Sequence, residues 1–158
     1  LTENKYRSSM EKIGKIIDQY STFPGNDSHV FFETALFSFL IGNADMHLKN
    51  FALLTRSSGE IILSPTYDQI STHLAMPDDQ EEMALTLNGR KRKLTKKDFE
   101  EFGLRLKIPA RSMMASFDKF RNNLNGAHHI IDISFLPDDK KKTYHDILNK
   151  NSTRLGLQ

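Results

Sequence analysis

The chain has 158 residues, about one ordinary domain, and its 38% hydrophobic and 27% charged content is that of a globular protein rather than a disordered or membrane-embedded one. With 22 basic against 20 acidic side chains the formal charge is only +2, too small a surplus to argue for nucleic acid on net charge. Cysteine is absent, which excludes disulfides, thiolate zinc sites and cysteine nucleophiles and permits a reducing compartment, and no apolar run approaches the roughly 18 residues of a membrane span.

In chain order, Ser8 and Glu11 stand in capping-box spacing, and Met10, Ile13, Ile16 and Ile17 recur at helical intervals. Together they predict a helix over about 9–20. Residues 21–28, with Pro24, Gly25 and Asn26, read as a loop. A second helix is expected over about 30–41, capped by Asp27 or Ser28. Phe31, Phe32, Leu36, Phe37, Phe39 and Leu40 make it apolar on most sides, which marks it as the buried central helix; Gly42 and Asn43 stop it. Residues 51–54 and 61–63 are short apolar runs about Ser57-Ser58-Gly59-Glu60, and read as a hairpin. Residues 83–87 and 90–94 flank Asn88-Gly89 and predict a second hairpin. Helices follow over about 95–106, capped by Thr95 and limited by Pro109, then over 110–125 and 138–149. The expected architecture is one domain over residues 1–158, mainly α (α+β), with small hairpins and no glycine-rich phosphate loop. Its first residue is Leu1 rather than Met, without a signal-peptide pattern, so it is expected to belong to a larger protein.

The most informative segment is Gly42-Asn43-Ala44-Asp45-Met46-His47-Leu48-Lys49-Asn50, a polar loop between an apolar helix and an apolar strand. A loop anchored at both ends is a good support for a catalytic group. The second strand of the hairpin leads to Ser64-Pro65-Thr66-Tyr67-Asp68, and a hairpin returns its far end beside the loop that precedes its near end. Asp45, Asn50 and Asp68 are therefore expected to converge. Oxygen ligands from Asn50 and Asp68 suit magnesium, which keeps several waters and completes its shell with phosphate oxygens. Asp45 is then free to accept a proton from a hydroxyl nucleophile, and Lys49 to neutralise a transferring phosphoryl group, a layout used by protein kinases.

The run from Gly42 to Leu54, followed by Ser64-Pro65-Thr66-Tyr67-Asp68-Gln69-Ile70-Ser71-Thr72, resembles the C-terminal domain of HipA-type toxin kinases. Fainter likeness extends from about Tyr6 to Leu106. The resemblance implies the large lobe of a bacterial serine/threonine kinase, a toxin of a toxin–antitoxin pair, using ATP and magnesium in the cytoplasm. It implies a protein substrate of the aminoacyl-tRNA synthetase kind and a DNA-binding antitoxin partner, and leaves direct DNA contact open. It further implies Asp45 as catalytic base, Asn50 and Asp68 as magnesium ligands, and His47, Leu48 and Lys49 along the nucleotide phosphates, with Tyr67 beside Asp68. Gln69 departs from the family's usual apolar residue, which puts local packing in question. A phosphate-covering loop, a strand lysine and an adenine hinge have no counterpart in these residues, so complete ATP binding by this chain alone is not expected.

Other readings stand beside this one. The chain could be a non-catalytic module that docks an antitoxin or another partner. Asp45 and His47 could form an Asp-x-His metal-hydrolase pair, although no further histidine stands near them at ligand spacing. His128-His129 reads as surface or cap. Arg90-Lys91-Arg92-Lys93 with Lys96 and Lys97 reads as a solvated turn and helix start, or as a contact for an acidic partner or operator DNA.

Overall fold

The computed structural model describes residues 3–158. A 3-10 turn (Glu3–Tyr6) precedes α1 (Met10–Tyr20) and α2 (Pro24–Ile41). A second 3-10 turn (Leu48–Asn50) leads into the hairpin of β1 (Leu53–Thr55) and β2 (Ile61–Leu63). Four helices follow: α3 (Thr72–Ala75), α4 (Lys96–Arg105), α5 (Ala110–Ile133) and α6 (Asp138–Arg154).

Helix α2 is the axis of the core. Phe31, Phe32, Ala35, Leu36, Phe39 and Leu40 are all buried, because α1 and α6 pack along it while α4 and β2 cover the rest. The phenylalanines interlock: Phe31 meets Phe102 of α4 and Phe32 meets Phe117 of α5 edge-on, while Phe32 with Phe102 and Phe39 with Phe99 pack tilted. On α1 a single face, Met10, Ile13, Gly14 and Ile17, is buried, while Ile16, counted in the periodic set, is exposed.

Several boundaries differ from expectation, each for a local reason. Ser9 rather than Ser8 caps α1, its hydroxyl accepting from the Lys12 N–H at 3.3 Å, and Glu11 instead accepts from the Asn88 N–H at 2.6 Å. Helix α2 begins at Pro24, six residues early, because proline is tolerated at the first helical position, where no N–H partner is needed. Asp27 then lies inside the helix, and its buried carboxylate accepts from Ser21 Oγ at 2.6 Å and the Leu63 N–H at 2.7 Å, tying the helix start to β2. Helix α5 runs through Gly126 to Ile133, and α6 extends to Arg154.

The expected hairpin forms as β1–β2, antiparallel with Leu53 opposite Leu63 and Thr55 opposite Ile61, its first strand starting at Leu53 rather than Phe51. The second expected hairpin is reduced to one bridge, Leu87 opposite Arg90. Met83, Ala84, Leu85 and Leu87 are all buried, so the run crosses the core instead of alternating between core and solvent. Its outer end is held to α6 by Glu82, which accepts two bonds from Arg154 at 2.6 and 2.9 Å and one from the Leu94 N–H at 2.9 Å. Among the described residues no helix is long and apolar enough to cross a membrane.

Candidate active site

The site begins where α2 ends. Gly42 takes a left-handed conformation (φ +74°), closing the helix with an N–H to the Phe39 carbonyl at 3.1 Å. A side chain here would meet Ile147 Cγ2 at 2.9 Å and His73 Cβ at 3.3 Å, so glycine is required by conformation and by space. The next turn is clamped from the opposite segment: Thr72 Oγ1 accepts from the Ala44 N–H at 2.8 Å and donates to the Gly42 carbonyl at 3.2 Å. The His73 N–H reaches the same carbonyl at 3.1 Å. Beyond the loop, Phe51 packs edge-on against Phe31 with centroids 5.1 Å apart, and Met46 is buried. Both ends of the loop are therefore fixed to the core.

Asn50 and Asp68 meet directly, and Asp45 is tied to them through the backbone by way of Asn43. The Asn50 side-chain N–H donates to Asp68 Oδ2 at 2.7 Å, and Asn50 Oδ1 accepts from the His47 N–H at 3.0 Å. Asn43, 1% exposed, links the remaining pair: its Nδ2 donates to the Asp68 carbonyl at 3.0 Å and its Oδ1 accepts from the Asp45 N–H at 3.1 Å. Asp68 itself has φ +57°, a left-handed backbone uncommon outside glycine, which aspartate tolerates better than most residues. Tyr67 donates its hydroxyl to the Lys49 carbonyl at 2.6 Å, a second tie between the two loops.

The flanking residues divide. Lys49 is exposed, whereas Leu48 is half-buried and packs against the hydrophobic core. His47 is buried, with Nε2 3.9 Å from Asp45 Oδ2, beyond a hydrogen bond. Two residues that the sequence did not mark as functional also belong to this site: Asn43, and Tyr6, whose hydroxyl donates to Asp45 Oδ1 at 2.8 Å. Asn43 stood in the motif directly after the helix-ending glycine, a position suited to bonding its own backbone two residues on. Tyr6 left no local signal, being far from Asp45 in the sequence. The departure at Gln69 is accommodated: its Oε1 accepts from Ser38 Oγ at 3.0 Å and its Nε2 lies 3.0 Å from Met46 Sδ.

A cavity of about 420 Å³ opens beside Asp45, bordered by Tyr6, Ala44, Thr72, Met76, Asp79 and Lys91. Lys5 lies near this region with its ammonium 4.7 Å above the Tyr6 ring. Its interaction with Tyr6 first, and the negative charge of Asp45 and Asp68 after it, push that ammonium above its ordinary range. A magnesium ion needs only one or two protein oxygens when phosphates and water complete its shell; the Asp68 carboxylate offers one, whereas Asn50, which turns its N–H to Asp68 and its oxygen to the His47 N–H, would join it through the second lone pair of that oxygen. Among the described residues no three His, Cys, Asp or Glu side chains form a metal-holding group.

The model of the HipA-like C-terminal domain family matches residues 1–127, beyond the likeness over 6–106 on both sides. The chain belongs to that family. It is 33% identical over 92 residues to a Sinorhizobium fredii protein named "Putative kinase Y4mE", which covers 56% of this chain and 21% of the relative. Its fold matches HipA of Shewanella oneidensis MR-1, solved as a toxin–antitoxin complex with HipB and operator DNA, at a TM-score of 0.72 and 19% identity. That match covers 93% of this chain and 35% of the HipA chain. The chain thus spans about a fifth of the curated relative and about a third of the matched structure, and the agreement in fold makes it a mainly helical α+β domain of the HipA kind.

Proposed function

We propose that residues 1–158 are the large lobe of a HipA-like serine/threonine protein kinase, which transfers the γ-phosphoryl group of ATP to a protein hydroxyl. The observation that carries this reading is the joining of Asn50 and Asp68 at 2.7 Å, with Asn43 linking Asp68 to Asp45. Asp45 accepts the proton of the attacking hydroxyl; a new oxygen–phosphorus bond forms as the bond from the γ-phosphorus to its bridging oxygen breaks, and ADP leaves. Asn50 and Asp68 would hold magnesium, which supplies neutralisation of the phosphate charge. Lys49, exposed at the loop, adds a mobile positive charge, and His47 and Leu48 border the phosphates, Leu48 through its backbone. Tyr67 holds the Lys49 carbonyl and keeps the two loops in register. The phosphate-covering loop, strand lysine and adenine hinge belong to another part of the protein on this reading.

The likeness to HipA in its antitoxin complex supports a DNA-binding antitoxin as partner, and the family resemblance supports a cytoplasmic toxin acting on a protein of the aminoacyl-tRNA synthetase kind. The deciding experiment is phosphoryl transfer by the natural full-length protein and its Asp45→Asn variant. Loss of one well-placed acid–base group is expected to lower the rate about 10²–10⁴-fold. Undiminished transfer by the variant would remove Asp45 as the base, and binding of an antitoxin with no transfer by the natural protein would favour a docking module.

A further inference from the structure

We infer that Tyr6 is a positioning residue for the base: its hydroxyl holds one oxygen of Asp45 so that the other faces the acceptor. This rests on the kinase reading and extends it to a residue 39 positions upstream of Asp45.

The geometry is specific. The 3-10 turn Glu3–Tyr6 packs on the turn Leu48–Asn50, and this contact delivers the phenol to the loop. Tyr6 Oη lies 2.8 Å from Asp45 Oδ1. The ring meets the His47 ring edge-on, with centroids 5.6 Å apart and planes at 74°, and the Lys5 ammonium covers it at 4.7 Å. The phenol is thus set by contacts on more than one side. The Asp45 backbone is fixed independently by Asn43, so what remains free is rotation of the carboxylate about its side-chain bonds. Tyr6 removes that freedom by occupying Oδ1. Oδ2 is not hydrogen-bonded by His47 at 3.9 Å and is the oxygen left for an incoming hydroxyl. Tyr6 and Asp45 also border the same cavity of about 420 Å³, so the oriented carboxylate and the space for an acceptor adjoin.

A purely structural role would be different in kind. Tyr6 is 38% exposed, and a hydrogen bond in such a place competes with water, so its loss should change stability little. A misdirected catalytic base, by contrast, costs reaction rate far out of proportion to stability. Tyr6→Phe isolates this effect, since it keeps the ring against His47 and beneath Lys5 and removes only the donor.

The test is steady-state phosphoryl transfer by the natural full-length protein and its Tyr6→Phe, Asp45→Asn and doubly substituted variants, each with a melting curve. The expected result is a fall in kcat of about 10- to 100-fold for Tyr6→Phe, with KM for ATP and the melting temperature unchanged. In the Asp45→Asn background the same substitution should have no further effect, because its target is gone. Unchanged kcat in Tyr6→Phe, a loss shared with KM or melting temperature, or additive losses in the double variant would each overturn the inference. Undiminished transfer by Asp45→Asn would instead remove Asp45 as the base, and no transfer by the natural protein would overturn the kinase reading on which the inference rests.

Discussion

Replacement of Asn43 separates support of the site from support of the fold. Its amide makes two bonds, to the Asp68 carbonyl and from the Asp45 N–H, and the side chain is buried. In Asn43→Ala both bonds are lost. At a net value of about 1 kcal/mol each, the expected destabilisation is roughly 2 kcal/mol, because the exposed Asp68 segment can bond water instead. For a chain of this size that corresponds to a fall of about 4–8 °C in melting temperature. Asn43→Asp should be worse. It keeps the acceptor for the Asp45 N–H but turns a second carboxylate oxygen, rather than a donor, toward the Asp68 carbonyl.

The functional consequence follows from the backbone of Asp68. A left-handed residue with a side chain costs about 1–2 kcal/mol, and in this loop the Asn43 amide is one of the contacts that hold it there. Without that bond the segment should relax toward ordinary backbone angles and move the carboxylate away from Asn50. A 1 kcal/mol bias corresponds to about fivefold in population, so magnesium-dependent nucleotide affinity should fall about 5- to 10-fold in Asn43→Ala. Calorimetric titration of the natural full-length protein with Mg-ATP, beside its melting curve, measures both effects. A lower melting temperature with unchanged nucleotide Kd would show that Asn43 only fills space, and the argument from Asp68 would be refuted.

Gly42→Ala should destabilise the chain by about 2 kcal/mol or more in urea titration, since it places a side chain at φ +74° and 2.9 Å from Ile147; a loss below about 0.5 kcal/mol would contradict the required glycine. Glu82 predicts a pH dependence. Burial pushes its carboxyl up, but the bonds from Arg154 and the Leu94 N–H outweigh this and hold it below the ordinary value of 4.5. A carboxyl lowered on folding stabilises fully above its unfolded value, and that stabilisation is lost as pH falls through the lowered one. Melting temperatures of the natural chain and Glu82→Gln should therefore differ most above pH 4.5 and converge as the pH drops further below it; a constant gap would refute the ion-pair account.

Much of the site was legible because its residues are consecutive or joined by a short hairpin. A glycine stop, a polar run between two apolar elements and the register of β1–β2 are local features, and local features suffice to bring Asn50 beside Asp68. Apart from the locally set helix starts and the short α3, the failures arise where packing between distant elements outweighs local preference. Gly126 disfavours helix by about 1 kcal/mol relative to alanine. Helix α5 continues past it because His128 stacks on His145 of α6 and Ile131 is buried. Asn88-Gly89 does make a turn, but the residues before it are consumed by the core, and a fully buried run carries no alternation to read. Helix α3, of four residues, is too short to give a periodic signal. The bond from Tyr6 to Asp45 depends on the packing of two 3-10 turns and has no trace in spacing.

The support of the site also reaches beyond the stretch matched by the family model. The last carbonyls of α2 have no partner within their own helix and must find one outside it. The Gly42 and Asn43 N–H groups serve Phe39 and Ser38 from within the turn. Asn151, buried on α6, adds to them: its Nδ2 donates to the Phe39 carbonyl at 2.8 Å and lies 3.4 Å from that of Leu40. Helix α6 lies outside residues 1–127, yet Asn151 caps the helix end from which Asn43 and Asp45 project, and Ile147 fills the space against Gly42. The position of Asp45 is thus set jointly by α2, by the clamp from Thr72 and His73, and by α6. On the proposed kinase reading the family motif supplies the reacting groups, and helix α6 helps hold the loop that carries them.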